Sequence, residues 1–113
     1  MSKQSQIKFT VHLDEKNLPD KIEWQADDAG FEGTKESKTL LLSIWDKQDK
    51  VTFGIDLWTK EMLVEEMNIH FHQIIVKLAE TYKNSTGNSQ AADMINKFAA
   101  DFADKLKLFE NKS

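Results

Sequence analysis

The chain of 113 residues contains no cysteine, and all fifteen of its basic residues are lysine, so arginine is absent as well. Without cysteine, the chain cannot form disulfide bonds, use thiol catalysis or hold zinc through cysteine. Without arginine, it lacks the side chain that best forms paired hydrogen bonds to phosphate and guanine. With a net charge of −4, these absences argue against nucleic acids and disfavour anionic membrane surfaces as partners.

Long apolar runs are also absent. No stretch approaches the roughly 18 residues of a membrane span, and no apolar block typical of a signal peptide precedes the first alternating segment. We therefore expect a cytoplasmic protein without membrane insertion. The length predicts a single domain over residues 1–113, with frayed ends at residues 1–5 and 110–113.

Alternating apolar residues predict four β-strands in the first half of the chain. These segments are Ile7–Leu13, Lys21–Ala26, Thr39–Trp45 and Val51–Leu57. Between the second and third strands, Asp27–Lys38 is predicted to be a loop with two glycines and a lone aromatic residue. A solvated connector is the favoured interpretation of this loop, and a functional loop is the alternative.

Apolar residues that recur every three or four positions predict two helices in the second half. The first is expected to begin after Thr59 and to end near Lys83, and the second to run from about Ser89 to about Phe109. The order of elements predicts an α+β fold, β-β-β-β-α-α. In this fold a four-stranded antiparallel sheet is followed by two helices packed on one face.

The last two predicted strands form a hairpin whose core faces can be matched by register. The core set of one strand has even numbers and that of the other has odd numbers, so opposing residue numbers must sum to an odd value. A tight turn after Trp45 pairs Ile44 with Val51 and Leu42 with Phe53. The same register sets Leu41 opposite Gly54 on the reverse face.

That reverse face carries the predicted protein interface, which consists of Leu41, Trp45, Gly54 and Trp58. Exposed indoles beside a bare glycine backbone are typical of an interaction surface. The expected occupant is a protein partner or a second copy of the chain in a homodimer. The alternative interpretation is that a helix of the same chain covers this face.

Candidate catalytic residues are few. His70 and His72 lie two positions apart on the predicted helix, which separates them by about 200° and prevents them from sharing a metal ion. Glu66 could orient His70 as a general base, so a small hydrolase is one hypothesis. A surface ion pair is the favoured interpretation, and we expect no catalytic, metal-binding or cofactor-binding residues.

Several strings together resemble the gliding-motility protein GldC family over nearly the whole chain. The strings are Leu18–Ala26, Leu41–Asp46, Ile55–Met62, Glu65–Met67 and Phe71–Gln73. They are specific because tryptophan is rare and its spacing is difficult to match by accident. Leu63 departs from the family pattern, which has proline after the methionine of the Thr-Lys-acid-Met string, and this leaves the start of the first helix open.

The resemblance implies a small non-catalytic accessory protein of bacterial gliding motility or its linked secretion machinery, with no cofactor. It implies no particular functional residues. Four strands followed by two helices in a small acidic protein also resemble, in topology alone, the export chaperone SecB. An export chaperone is therefore the alternative binding function, beside the hydrolase hypothesis.

Overall fold

The computed structural model describes residues 3–110. The chain divides into two compact units, one up to Met62 and one from Leu63 onward. The first holds the strands and the second holds the helices. Most of the predicted frayed ends lies outside the described residues, although the Ser5 hydroxyl donates a hydrogen bond of 2.7 Å to Asp28.

Five strands and two helices make up the described part of the chain, and the α+β class is confirmed. They are β1 Ile7–Leu13, β2 Pro19–Ala26, β3 Lys35–Ser37, β4 Thr39–Trp45, β5 Thr52–Trp58, α1 Val64–Thr86 and α2 Ser89–Leu106. Three of the four predicted strands fall on β1, β4 and β5 to within a residue at each end, and β2 begins two residues earlier than predicted. Strand β3 was not predicted and lies inside the expected loop.

The predicted single four-stranded sheet is wrong. The strands form two antiparallel sheets, one in the order β1-β2-β3 and one of β4 with β5. Strands β3 and β4 are separated only by a bend at Lys38, so one stretch of chain pairs first with β2 and then with β5. Ser37 is paired with Ile22, three residues from the start of β2 at Pro19. Strand β2 therefore offers at most three further positions for pairing, fewer than the seven residues of β4.

The turn between β1 and β2 is organised by Asp14. Its carboxylate accepts hydrogen bonds from the backbone N–H groups of Lys16 at 2.8 Å and Leu18 at 3.0 Å. Asn17 adopts the left-handed conformation, with φ of 62°. These two N–H groups, Leu18 first, lower the pKa of Asp14 below its ordinary value, so the turn carries a full negative charge at neutral pH.

The predicted register of the β4–β5 hairpin is wrong by two residues. Ile44 lies opposite Phe53 rather than Val51, and Leu42 lies opposite Ile55. The cause is the turn, in which the Asp46 carboxylate accepts hydrogen bonds from two backbone N–H groups. Six residues, 46–51, connect the strands, and the Asp46 N–H donates to the Val51 carbonyl across the turn. The opposing numbers still sum to an odd value, so the division of side chains between the two faces is as predicted.

The helical unit packs through alanine. Its buried side chains are Ala79 on α1 and Ala92, Ala99 and Ala103 on α2. Small side chains allow two helices to approach closely, and the large apolar side chains of α2 consequently lie elsewhere on its surface.

Helix α1 begins at Val64, later than the start predicted after Thr59, and α2 ends at Leu106, before the predicted Phe109.

Candidate protein-interaction site

The β4–β5 hairpin carries apolar side chains on both faces. One face contains Leu40, Leu42, Ile44, Phe53, Ile55 and Leu57, and the reverse face contains Leu41, Trp45 and Trp58. Trp45 is 65% exposed and Trp58 is 58% exposed. A sheet that is apolar on both faces is normally covered on both, and an isolated two-stranded hairpin is marginally stable in water. The hairpin is therefore a surface that other protein groups are expected to cover.

The structure separates the residues of the predicted interface along the reverse face. Trp45 lies opposite Thr52, at the turn end, whereas Trp58 ends the hairpin at its other end. Position 52, opposite Trp45, and position 58 are six positions apart along β5, which corresponds to about 20 Å. Leu41 is opposite Asp56 rather than Gly54, and it lies diagonally from Trp58, within reach of a large side chain.

Gly54 lies near the middle of this reverse face, opposite Ser43. A Cβ atom added at Gly54 would have only one neighbour within 4 Å, the backbone oxygen of Leu42 at 3.7 Å, which is an ordinary contact. The glycine is thus not required by packing within the chain. Because it has no side chain, Gly54 leaves a shallow depression between the two indoles.

A groove of about 430 Å³ opens at the Trp58 end of the hairpin. Its apolar lining consists of Leu18, Pro19, Leu57, Trp58 and Met62. Sequence reasoning singled out Trp58 but missed Leu18 and Pro19, because these residues lie just before and at the start of β2, far away in the chain. No local pattern marks the two segments as neighbours.

Thr59 also lines this groove and is 4% exposed. Its backbone N–H donates a hydrogen bond of 2.8 Å to the carbonyl of Lys38. Its hydroxyl oxygen is buried and has no hydrogen-bond partner among the described residues. A buried hydroxyl without a partner is unusual in native proteins, and such groups call for an explanation.

Acidic side chains surround the groove. Asp56 lies in its wall, and Asp14, Asp20 and Glu61 line the adjoining depression, which shares Pro19 and Lys60 with the groove. The Lys60 ammonium lies 3.5 Å from the Asp14 carboxylate. Among the side chains that line the groove and this depression, four are carboxylates and one is an ammonium, which favours a negative local field.

A family model for gliding motility-associated protein GldC-like proteins matches residues 19–108 of the chain. This match covers about four fifths of the 113 residues. The chain belongs to the GldC-like family. The resemblance to the GldC family is thereby confirmed, and this family is described as associated with gliding motility. Comparisons with curated proteins and with solved structures gave no significant match.

The matched part of this GldC-like chain includes the whole β4–β5 hairpin and every residue of the groove except Leu18. In residues 3–110, neither helix is long and apolar enough to cross a membrane. Nor do any three metal-binding side chains lie together within the same residues.

Two residues near the predicted His70 site of the GldC-like chain, Glu66 and His72, have contacts of their own. The Glu66 carboxylate accepts a hydrogen bond of 3.1 Å from the backbone N–H of Leu63, which caps the start of α1. His72 contacts the ring of Phe109 edge-on, with centroids 5.1 Å apart. The hypothesis that His70 acts as a base with Glu66 remains a prediction.

The segment Asp27–Lys38 contacts β2 through several side chains. Phe31 meets Trp24 edge-on at 5.1 Å, and the Lys35 ammonium lies 4.6 Å from the centre of the Phe31 ring. Thr34 donates a hydrogen bond to Glu23. This segment is therefore anchored to the three-stranded sheet rather than only solvated.

Proposed function

We propose that this GldC-like chain is a non-catalytic cytoplasmic accessory protein that binds another protein of the gliding apparatus or its linked secretion machinery. Membership of the family supports the process. The observation that carries the binding role is the hairpin, whose reverse face exposes Trp45 and Trp58 by more than half. No cofactor takes part in this proposal.

The docking surface is the reverse face, with Leu41, Trp45, Gly54 and Trp58 as its members. Indole rings supply large apolar contact area and dominate many protein interfaces. The spacing of about 20 Å between the two indoles fits beneath one partner, since a standard interface covers about 800 Å² on each side. Gly54 then lies near the centre of the contact.

The test replaces Trp45 by alanine in a gliding cell and measures the recovery of cross-linked partners. Loss of the Trp45 indole is expected to weaken binding by about 2 kcal/mol or more, because an aromatic anchor of the interface is removed. Met94→Ala is the matched control, because Met94 is an apolar side chain on α2 that is 74% exposed. The expected partners are components of the gliding or secretion machinery.

Two results would contradict the docking surface. The first is a Trp45→Ala protein that no longer folds by itself, which would make Trp45 part of the core. The second is undiminished recovery of partners by a Trp45→Ala protein with an unchanged thermal transition.

A second copy of the chain is the other occupant favoured by an observation. Strands β4 and β5 form a sheet of two strands, so within the described residues each has one edge without a neighbouring strand. Free strand edges pair readily with another copy. A concentration-dependent dimer in sedimentation that Trp45→Ala dissociates would identify this occupant, and a monomer at all concentrations would exclude it.

The catalytic alternative is tested by His70→Ala. Under the proposed function, this change leaves gliding and partner binding unaltered, because His70 lies outside the hairpin. Loss of gliding with normal folding and normal partner binding would instead favour the hydrolase hypothesis. His72→Ala serves as the matched control, since it removes the other histidine of the same helix.

A further inference from the structure

We propose that the groove beside Trp58 binds a short apolar peptide segment that is flanked by lysine or arginine. The segment belongs to the protein partner, so this inference rests on the proposed binding function and specifies the chemistry of what is bound. It concerns only residues of the unit that ends at Met62, which together form the groove.

The size and lining of the groove suit apolar side chains. Its volume of about 430 Å³ lies within the range of about 300–1,000 Å³ that is usual for ligand pockets. Trp58 and Pro19 present rigid rings, which lose little conformational entropy when an occupant binds. Met62 supplies a flexible side chain that adapts to the shape of the occupant.

The charge around the groove determines the flanks of the occupant. Asp14, Asp20, Asp56 and Glu61 place four carboxylates around it, against the single ammonium of Lys60. Lysine or arginine on either side of an apolar segment would meet these carboxylates, and complementary charge increases both association rate and specificity. An apolar segment with acidic flanks would be repelled.

Thr59 indicates a peptide rather than a hydrocarbon chain. Its side chain lines the groove, and its buried hydroxyl has no hydrogen-bond partner among the described residues. A bound main chain offers both donors and acceptors that such a hydroxyl could pair with. A lipid tail offers neither.

The test measures fluorescence anisotropy of a labelled peptide, Lys-Lys-Leu-Phe-Leu-Lys-Lys, on titration with the full chain. We expect saturable binding to the wild-type protein. The same apolar centre with glutamate flanks, and the same lysine flanks around Ser-Gly-Ser, are both expected to bind at least about tenfold more weakly. Equal binding of all three peptides would overturn the proposal and favour a chaperone without sequence preference.

Variants then locate the bound peptide. Trp58→Ala is expected to weaken binding by about tenfold or more, because it removes the largest side chain of the groove. Met94→Ala, which removes an exposed apolar side chain of α2, is expected to change nothing. If Trp58→Ala binds as well as wild type, the groove is not the site.

A charge variant keeps the test decisive if Trp58→Ala does not fold. Asp20→Lys with Glu61→Lys reverses two exposed charges beside the groove and is expected to weaken binding severalfold, with a smaller salt dependence. Asp49→Lys in the β4–β5 turn makes the same type of change at the far end of the hairpin and should have little effect. The double variant changes the net charge by twice as much as Asp49→Lys does. A loss of binding free energy in Asp49→Lys of half or more of that in the double variant would therefore mean that net charge alone governs binding, which would overturn the groove.

Failure here is distinguishable from failure of the proposed function. If the cross-linked partner is still lost in Trp45→Ala but no peptide binds at the groove, only the peptide inference is wrong. If the peptide binds through Trp58 but Trp45→Ala recovers its partner normally, the groove stands and the reverse face is not the docking surface.

Discussion

The two sheets of the strand unit differ in how far they bury their apolar side chains and pair their polar ones. The three-stranded sheet buries Ile22 completely and joins its polar groups to each other, with the His12 ring 2.6 Å from the Glu23 carboxylate. Ile7 and Leu13 of the three-stranded sheet are more than half exposed, but the β4–β5 hairpin has no buried apolar side chain among the described residues and leaves Ile44, Phe53 and Trp45 about half exposed or more. The comparison indicates that the first sheet supplies stability within the chain, whereas the second supplies surface for another protein.

The largest expected effect tests this division by removing equivalent side chains from the two sheets. Ile22→Ala should lower the free energy of unfolding by about 2–5 kcal/mol, because it leaves a cavity in the only fully buried large side-chain position that the structure describes. Ile44→Ala should cost clearly less, because Ile44 is 51% exposed. Urea unfolding of both proteins measures the difference.

Equal losses in these two proteins would contradict the division, since they would place Ile44 in the core of the isolated chain. A small loss for Ile22→Ala would show that the three-stranded sheet is not the stable part of the unit. Either result would change the interpretation of the exposed hairpin.

Alternation of apolar residues was sufficient to predict which side chains share a face of β4–β5. Whether a side chain faces one way or the other depends only on its position in the strand, so an error of two residues in register leaves the faces unchanged. The register itself depends on the turn at residues 46–51, where hydrogen bonds to Asp46 determine the loop length. These hydrogen bonds are not part of the alternation.

Two features could not be predicted from alternation: the division of the strands into two sheets, and the groove. The bend at Lys38 lies close to the start of β2, which the alternation predicts at Lys21 and the structure has at Pro19. Pro19 and Trp58 line the same groove although they are far apart in the sequence. Tertiary neighbours of this kind leave no trace in a local pattern.

An effect of intermediate size is the loss of stability in acid. It arises from two carboxylates, one on the three-stranded sheet and one in its β1–β2 turn. The hydrogen bond from His12 is the main cause of the lowered pKa of Glu23, and backbone N–H groups lower the pKa of Asp14. A lowered pKa in the folded state gives stability that is present above the unfolded values of 3.8 and 4.5 and is lost as pH falls through the folded values. The melting temperature should therefore fall as the pH drops below about 4.5.

Paired substitutions assign this acid dependence. In a protein with Asp14→Asn and Glu23→Gln, the fall in melting temperature between pH 6 and pH 3 should be shallower than in wild type, because neither group can take up a proton. Asp49→Asn, in the turn of the hairpin, removes a carboxylate from the other sheet and is the control. A double variant with the wild-type slope would show that other groups carry the acid sensitivity.

The smallest expected effect is at Gly54, where fold and binding should respond with opposite signs. Glycine in a strand is less stable than alanine by about 0.5–1 kcal/mol, and the space at Gly54 accepts a Cβ atom. Gly54→Ala should therefore raise the free energy of unfolding by a few tenths of a kcal/mol or more.

A partner that spans both indoles must cross this position, so the added methyl group should weaken its binding a fewfold. Unfolding in urea measures the first quantity and titration with the purified partner measures the second. A partner that binds Gly54→Ala as tightly as wild type would show that Trp45 and Trp58 belong to two separate surfaces rather than one.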